Sequence, residues 1–144
     1  MAHVRAQIRD AVVTAVTGLG ATVTKSRFFP NDASALPVFL VYTVNESVDV
    51  GQGSGAATMM RTLSVVIDAS AQAAESALDD ALDAFAVSIE TAVGGNTFSG
   101  LALETRLVST EMNTSTDGNK PLGTVRLMFD VIYRTIRTNP STTV

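Results

Sequence analysis

The chain contains no cysteine and no tryptophan, and its single histidine is His3. Without cysteine there is no disulfide framework, no zinc-thiolate centre and no thiol nucleophile. A Ser-His-Asp arrangement needs a histidine held firmly by the fold, and His3 lies at a terminus, where chains fray. Charge is scarce as well. Asp, Glu, Lys and Arg make up 17% of the 144 residues, against about a quarter in ordinary soluble domains. A surface so poor in charge points to partial cover by a partner. The net charge is -4, which argues against a nucleic-acid binder, whose affinity comes from clustered cations on phosphates. No apolar run reaches the roughly 20 residues of a membrane-spanning helix. The densest, residues 36–42, is interrupted by Pro37. The N-terminal residues through Arg5 lack the apolar stretch of a signal peptide, so cytosolic synthesis and no membrane partner are expected.

What is present is hydrophobic material: 46% of the residues, enough for one core in a chain of this length. A single domain over residues 1–144 is expected, with a loose polar tail from about Thr138. Val4, Ile8, Val12, Ala15 and Leu19 recur at helical spacing, and Gly18 and Gly20 end that helix. A short β-prone stretch covers residues 22–28. Residues 38–44 form a strand that is apolar on both faces, as expected of a strand covered on both sides. Residues 45–57 are polar and glycine-rich and read as a loop. Residues 58–68 alternate as a strand. Leu78, Leu82, Phe85 and Ile89 then give the stripe of a second helix, ended by Gly94, Gly95 and Asn96. Residues 101–109 read as a strand with Leu101, Leu103 and Leu107 on one face. Residues 113–123 read as a turn-rich loop, and residues 124–136 as a last, strongly alternating strand. Strands joined by short connections favour antiparallel pairing. The fold class expected is α+β: a mostly antiparallel sheet covered on one face by two helices.

Catalytic constellations are not evident. Asp79, Asp80 and Asp83 share one helix and fit a solvated face better than a cation site, which usually draws its oxygens from loops. Gly51, Gln52, Gly53, Ser54 and Gly55 lack the Lys-Ser/Thr pair of a phosphate loop and join two strands. Glu104 and Glu111 do not form the paired, unequal carboxylates of acid–base chemistry. The expectation is a protein that is not an enzyme, with no metal and no cofactor. Arg61 is the oddest residue, alone on an apolar strand face. It reads either as an edge or snorkelling side chain or as a salt bridge to a neighbouring subunit.

Charge placement says more. Residues 62–105 hold no Lys or Arg, but they hold seven acids. On the second helix Glu75, Asp79, Asp83 and Glu90 fall near one face. Bases gather elsewhere, at Arg5, Arg9, Lys25 and Arg27 and again at Arg126, Arg134 and Arg137. Apart from plain solvation, two readings follow. The acidic face meets bases such as Arg126 and Arg134 of the next copy, a head-to-tail contact that can close a ring. Alternatively it lines a channel through which DNA slides without sticking. The absence of interspersed bases favours the channel. The turn-rich connections are candidate contacts to a neighbour or to a tube: Val48 and Gly51 to Gly55 in one, Asp117, Asn119 and Lys120 in the other.

The order of segments resembles the tail terminator family of long-tailed bacteriophages, the minor tail protein U group and the related tail-completion proteins. The resemblance is carried by Arg9-Asp10-Ala11-Val12-Val13 in the first helix and by Arg27-Phe28-Phe29-Pro30. It continues through Leu36-Pro37 leading into Val38-Phe39-Leu40-Val41-Tyr42, and through the strand from Arg61 to Asp68 that precedes the second helix. The final strand from Val125 to Tyr133 is similar in placement. The glycine-rich segment at Gly51 to Gly55 and the long loop before the last strand depart from the family's pattern. The resemblance implies a virion protein, assembled in the host cytoplasm, at the head-proximal end of the tail. It implies a homohexameric ring that caps the tail tube, stops its growth and offers the head-joining surface. Partners would be copies of the chain, the tail tube protein and a head-completion or connector protein, with DNA only in transit. Alternatives are a head–tail connector, a tail tube subunit, or a small acidic protein-binding module.

Overall fold

The computed structural model describes residues 2–26, 36–50, 58–115 and 121–144. The elements in chain order are α1 (Val4–Val16), β1 (Thr22–Thr24), β2 (Val38–Val50), β3 (Thr58–Gln72), α2 (Glu75–Val93), β4 (Glu104–Ser115), β5 (Leu122–Ile136) and β6 (Asn139–Thr143). The sheet runs β1-β2-β3-β5-β4, with β6 also on β5. All pairings are antiparallel except β1 with β2. The α+β class with a mostly antiparallel sheet is therefore as expected.

Both helices pack on the same face of the sheet. Val4, Ile8, Val12 and Val16 of α1 are buried at four-residue intervals, and Gly18, at φ +88°, turns the chain out of the helix where a Cβ would be strained. Leu78, Leu82, Ala86, Ile89 and Val93 form the buried stripe of α2. Beneath them lie the alternate residues of the central strands. Val65 and Ile67 on β3 face the helices, as do Val125, Leu127, Phe129 and Val131 on β5. Gly123 explains how closely α2 settles on β5: a Cβ there would meet Leu82 Cδ1 at 2.8 Å and Leu78 Cδ1 at 3.0 Å. Burying each large aliphatic side chain of this layer contributes about 1.5–3 kcal/mol.

Several boundaries differ from the sequence reading. Phe85, expected in the buried stripe, is half-buried, and its ring meets Phe39 edge-on at 5.3 Å. Residues 45–50, expected in a loop, continue β2 beyond a register shift between Thr43 and Asn45. Apart from Glu46 these residues are exposed, and the backbone is held by pairing to β3. Leu103 precedes β4 and is 49% exposed, because β4 begins only at Glu104. Residues 113–115, expected in a loop, belong to β4. The tail is not loose: β6 pairs with β5, and Gln7 of α1 donates to the Ser141 carbonyl at 2.9 Å. No helix among the described residues is long and apolar enough to cross a membrane.

Candidate functional site

The acidic residues of α2 do fall in one row. Glu75, Asp79, Asp83 and Glu90 are all exposed, and among the described residues none joins an ion pair. At 100° per residue the row lies beside the buried stripe, not opposite it. Its side is fixed by a cleft lined by Glu75, Leu78, Asp79, Thr114 and Pro121. The acids therefore run along the flank of α2 that overlooks β4. The other flank carries Phe85, which turns toward Phe39 on β2 and hence toward α1.

β4 is the outermost strand on this side, and it is little covered. Thr105 is its one buried residue. Met112 is 52% exposed, and Val108, at a register shift between Leu107 and Ser109, is 46% exposed. No described strand pairs its outer side. At the opposite margin β1 covers β2 only at residues 38–40. Beyond that, Val44, Val48 and Val50 are each close to half exposed. Val48, read as a loop contact, is thus an exposed strand residue. The helix overhanging this margin is α1, and its outward flank is basic. One cleft there is lined by Arg9, Lys25, Ser26 and residues 41–43 of β2, and another by Arg5, residues 43–46 and Leu63. Lys25 bonds Asp10 at 2.7 Å, both side chains being exposed. Among the described residues Arg9 has no ion pair.

Arg61 is not an edge residue, and the bonds it makes here lie within its own chain. It sits on the central strand β3, only 7% exposed. Its Nη1 donates to Glu46 at 2.9 Å and its Nε to Thr135 Oγ1 at 2.9 Å. A guanidinium buried in the sheet requires such partners. Glu46 gathers further donors: Arg5 at 3.0 Å and the Tyr133 hydroxyl. Burial, and then the hydrogen bond to Glu46, push the Tyr133 pKa above its ordinary value. His3 borders the cluster and caps α1, its Nδ1 accepting from the Arg5 amide at 3.2 Å. Burial, followed by the nearby Arg5 charge, lowers its pKa from 6.5. Sequence reasoning missed Glu46, whose one signal was that Arg61 on an apolar face demands an acid.

Arg126 and Arg134 lie on the sheet face away from the helices, because they pair across the strands with Asp68 and Met60. Arg126 is engaged already. Its Nε donates to Asp68 at 2.9 Å, and Glu111 is 3.9 Å away. The hydrogen bond to Asp68, and next its charge, raise the Arg126 pKa. Tyr42 completes the cluster with a 2.8 Å bond to Asp68. In the subunit, then, the acid row and these two bases occupy different faces. Gly51, Gln52, Gly53, Ser54 and Gly55, together with Asp117, Asn119 and Lys120, lie outside the described residues. No group of His, Cys, Asp or Glu among the described residues is placed to hold a metal ion.

No family model matches the chain, and no curated protein matches it. Among solved structures, a chain in the virion of a native gene transfer agent particle has a similar fold. The TM-score is 0.52 at 18% identity, and 92% of each chain is covered. At that identity the likeness is one of fold.

Proposed function

We propose that this chain is a non-enzymatic structural subunit of a virion, and that it acts as a tail terminator. Copies close into a ring, with six as the expected number, on the end of the tail tube. The ring stops tube growth and presents the surface that joins the head, with DNA passing through its centre. The observation that carries this reading is the end-to-end correspondence of fold with a virion chain. The subunit's two exposed sheet margins add support, since a ring member needs two different contact surfaces.

The test is electron microscopy of the purified chain together with native mass spectrometry. Closed rings one subunit thick are expected. Open filaments would instead make the chain a tail tube subunit, because tube proteins stack without a stop. A chain that stays monomeric at high concentration would overturn the ring and favour a small binding module.

A further inference from the structure

β4 reaches past α2 and leaves an open shelf on the helix side of the sheet. Thr110, Met112 and Thr114 pair with Leu127, Val125 and Gly123 of β5, so they face the helices, and all three are exposed. They form the floor of the shelf. The acid row of α2 forms its wall, with Glu75, Leu78 and Asp79 meeting Thr114 in one cleft. The opposite margin carries the reverse charge. There β1 is the outermost strand, beside residues 38–40 of β2. Arg9 of α1 and Lys25, which follows β1, line one cleft. We propose that the shelf seats a second copy: β1 of one subunit lies along residues 111–113 of β4 in the next, and Arg9 and Lys25 reach over the shelf to Glu90 and Asp83. The inference rests on the ring reading above.

In a ring whose axis runs along the strands, each cross-strand row keeps its height from copy to copy. The rows therefore decide which parts of the two margins meet. Thr22, Val38, Ser70, Thr124 and Asn113 share one row. Thr24, Leu40, Asp68, Arg126 and Glu111 share another. β1 is thus level with residues 111–113. Its direction fits as well. β1 is parallel to β2, and β2, β3, β5 and β4 alternate, so β1 meets β4 antiparallel, the more stable pairing.

The charges stand at matching heights. The amide of Gly95, just past α2, bonds the Thr105 carbonyl at 2.8 Å. From Gly95 back to Glu90 the chain climbs about 7 Å at 1.5 Å per residue, which is about two residues of strand. Glu90 is therefore level with Leu107, in the row of Phe129, Val65 and Thr43, and Arg9 lines the cleft at Thr43. Asp83 stands about 10 Å further along α2, level with the row of Glu111 and Thr24, which Lys25 follows. Lys25 is free to exchange Asp10 for a neighbour's carboxylate, because exposed pairs hold weakly.

The rest of each margin stays out of the contact. Residues 44–50 of β2 are level with the start of β4 and beyond it. That start is blunted against pairing by the bulge at Val108 and by Glu104 and Arg106. Residues 109–115 carry only Glu111, which is turned toward Arg126. A two-fold contact between two β4 shelves would set acid row against acid row, and like charges across an interface suppress the wrong partner.

The experiment uses two full-length variants, D83K/E90K and R9E/K25E, with native mass spectrometry and microscopy reading assembly and circular dichroism reading the fold. Each variant alone should stay folded and lose about a hundredfold or more in association, since like charges then face each other. Mixed in equal amounts they should regain rings of alternating subunits, because every contact then pairs opposite charges. Rings formed by either variant alone as readily as by the wild type would overturn the shelf contact and leave the ring reading standing. Folded variants that stay apart when mixed would also overturn it. A monomeric wild type overturns both readings.

Discussion

Replacing Glu46 by Ala removes one acceptor from three donors: Arg5, Arg61 and Tyr133. The donors are not equally affected. Arg5 has a side chain 45% exposed, so its pair contributes at most about 1 kcal/mol. The Glu46 and Arg61 side chains are each only 9% exposed. Removing one partner of such a pair strands a charge inside the sheet and costs about 3–5 kcal/mol. The Tyr133 hydroxyl loses its acceptor as well, but these losses overlap and do not add. The expected total stays at about 3–5 kcal/mol, a drop in melting temperature of roughly 10–15 °C for a chain of this size. Urea unfolding followed by circular dichroism measures it, at fixed protein concentration because self-association raises apparent stability. A cycle with Arg61→Met isolates the pair, and a coupling of at least about 1 kcal/mol is expected. A loss below about 1 kcal/mol for Glu46→Ala would refute the burial argument, since the arginine would then be finding water or another anion.

Two further outcomes follow from the packing and the cap. Phe85→Ala should cost about 2–3 kcal/mol, less than the 3–5 of a fully buried ring, because Phe85 is half-buried against Phe39. An unchanged melting temperature would remove the contact between α2 and β2. The His3 imidazole should titrate by NMR with a midpoint below 6.5, since burial and Arg5 disfavour its charge. As pH falls, the unfolded chain takes up this proton first. The stabilisation is therefore complete above 6.5 and is lost as pH drops from there through the folded midpoint. Protonation also abolishes the acceptor that caps α1. A midpoint at or above 6.5 would contradict the capped, partly buried placement.

The helices were legible because each buries one stripe, and a stripe leaves its period in the letters. Val4, Ile8 and Val12 announce α1, and Leu78, Leu82 and Ile89 announce α2. β5 was equally plain, with Val125 to Tyr133 alternating between the helix layer and the open face. What stayed hidden has a common physical cause. Residues 45–50, Glu46 apart, and 113–115 form strand ends with little cover on either side, so no apolar alternation between core and solvent is written into them. Their strand state comes from hydrogen bonds to β3 and β5, partners far away in the chain. β6 is a polar segment held in the same way. Arg61 was visibly out of place, but its acid lies across the sheet on β2, and only the pairing register brings the two together. The acid row was legible as a row. Which margin it overlooks required the strand order.

β5 occupies a position in the sheet that its place in the chain does not foretell. It lies between β3 and β4 but follows both in the sequence, with all of α2 and β4 separating its pairing partners on β3. Contacts of such long sequence separation pay their loop-closure cost before they return any stability, and they slow folding. Before β5 arrives, α2 lacks most of its floor, and β4 has no strand to pair with. The β4 margin therefore comes into being only with the last central strand. A subunit without β5 thus lacks the whole of that margin, whatever other part of the chain has already folded.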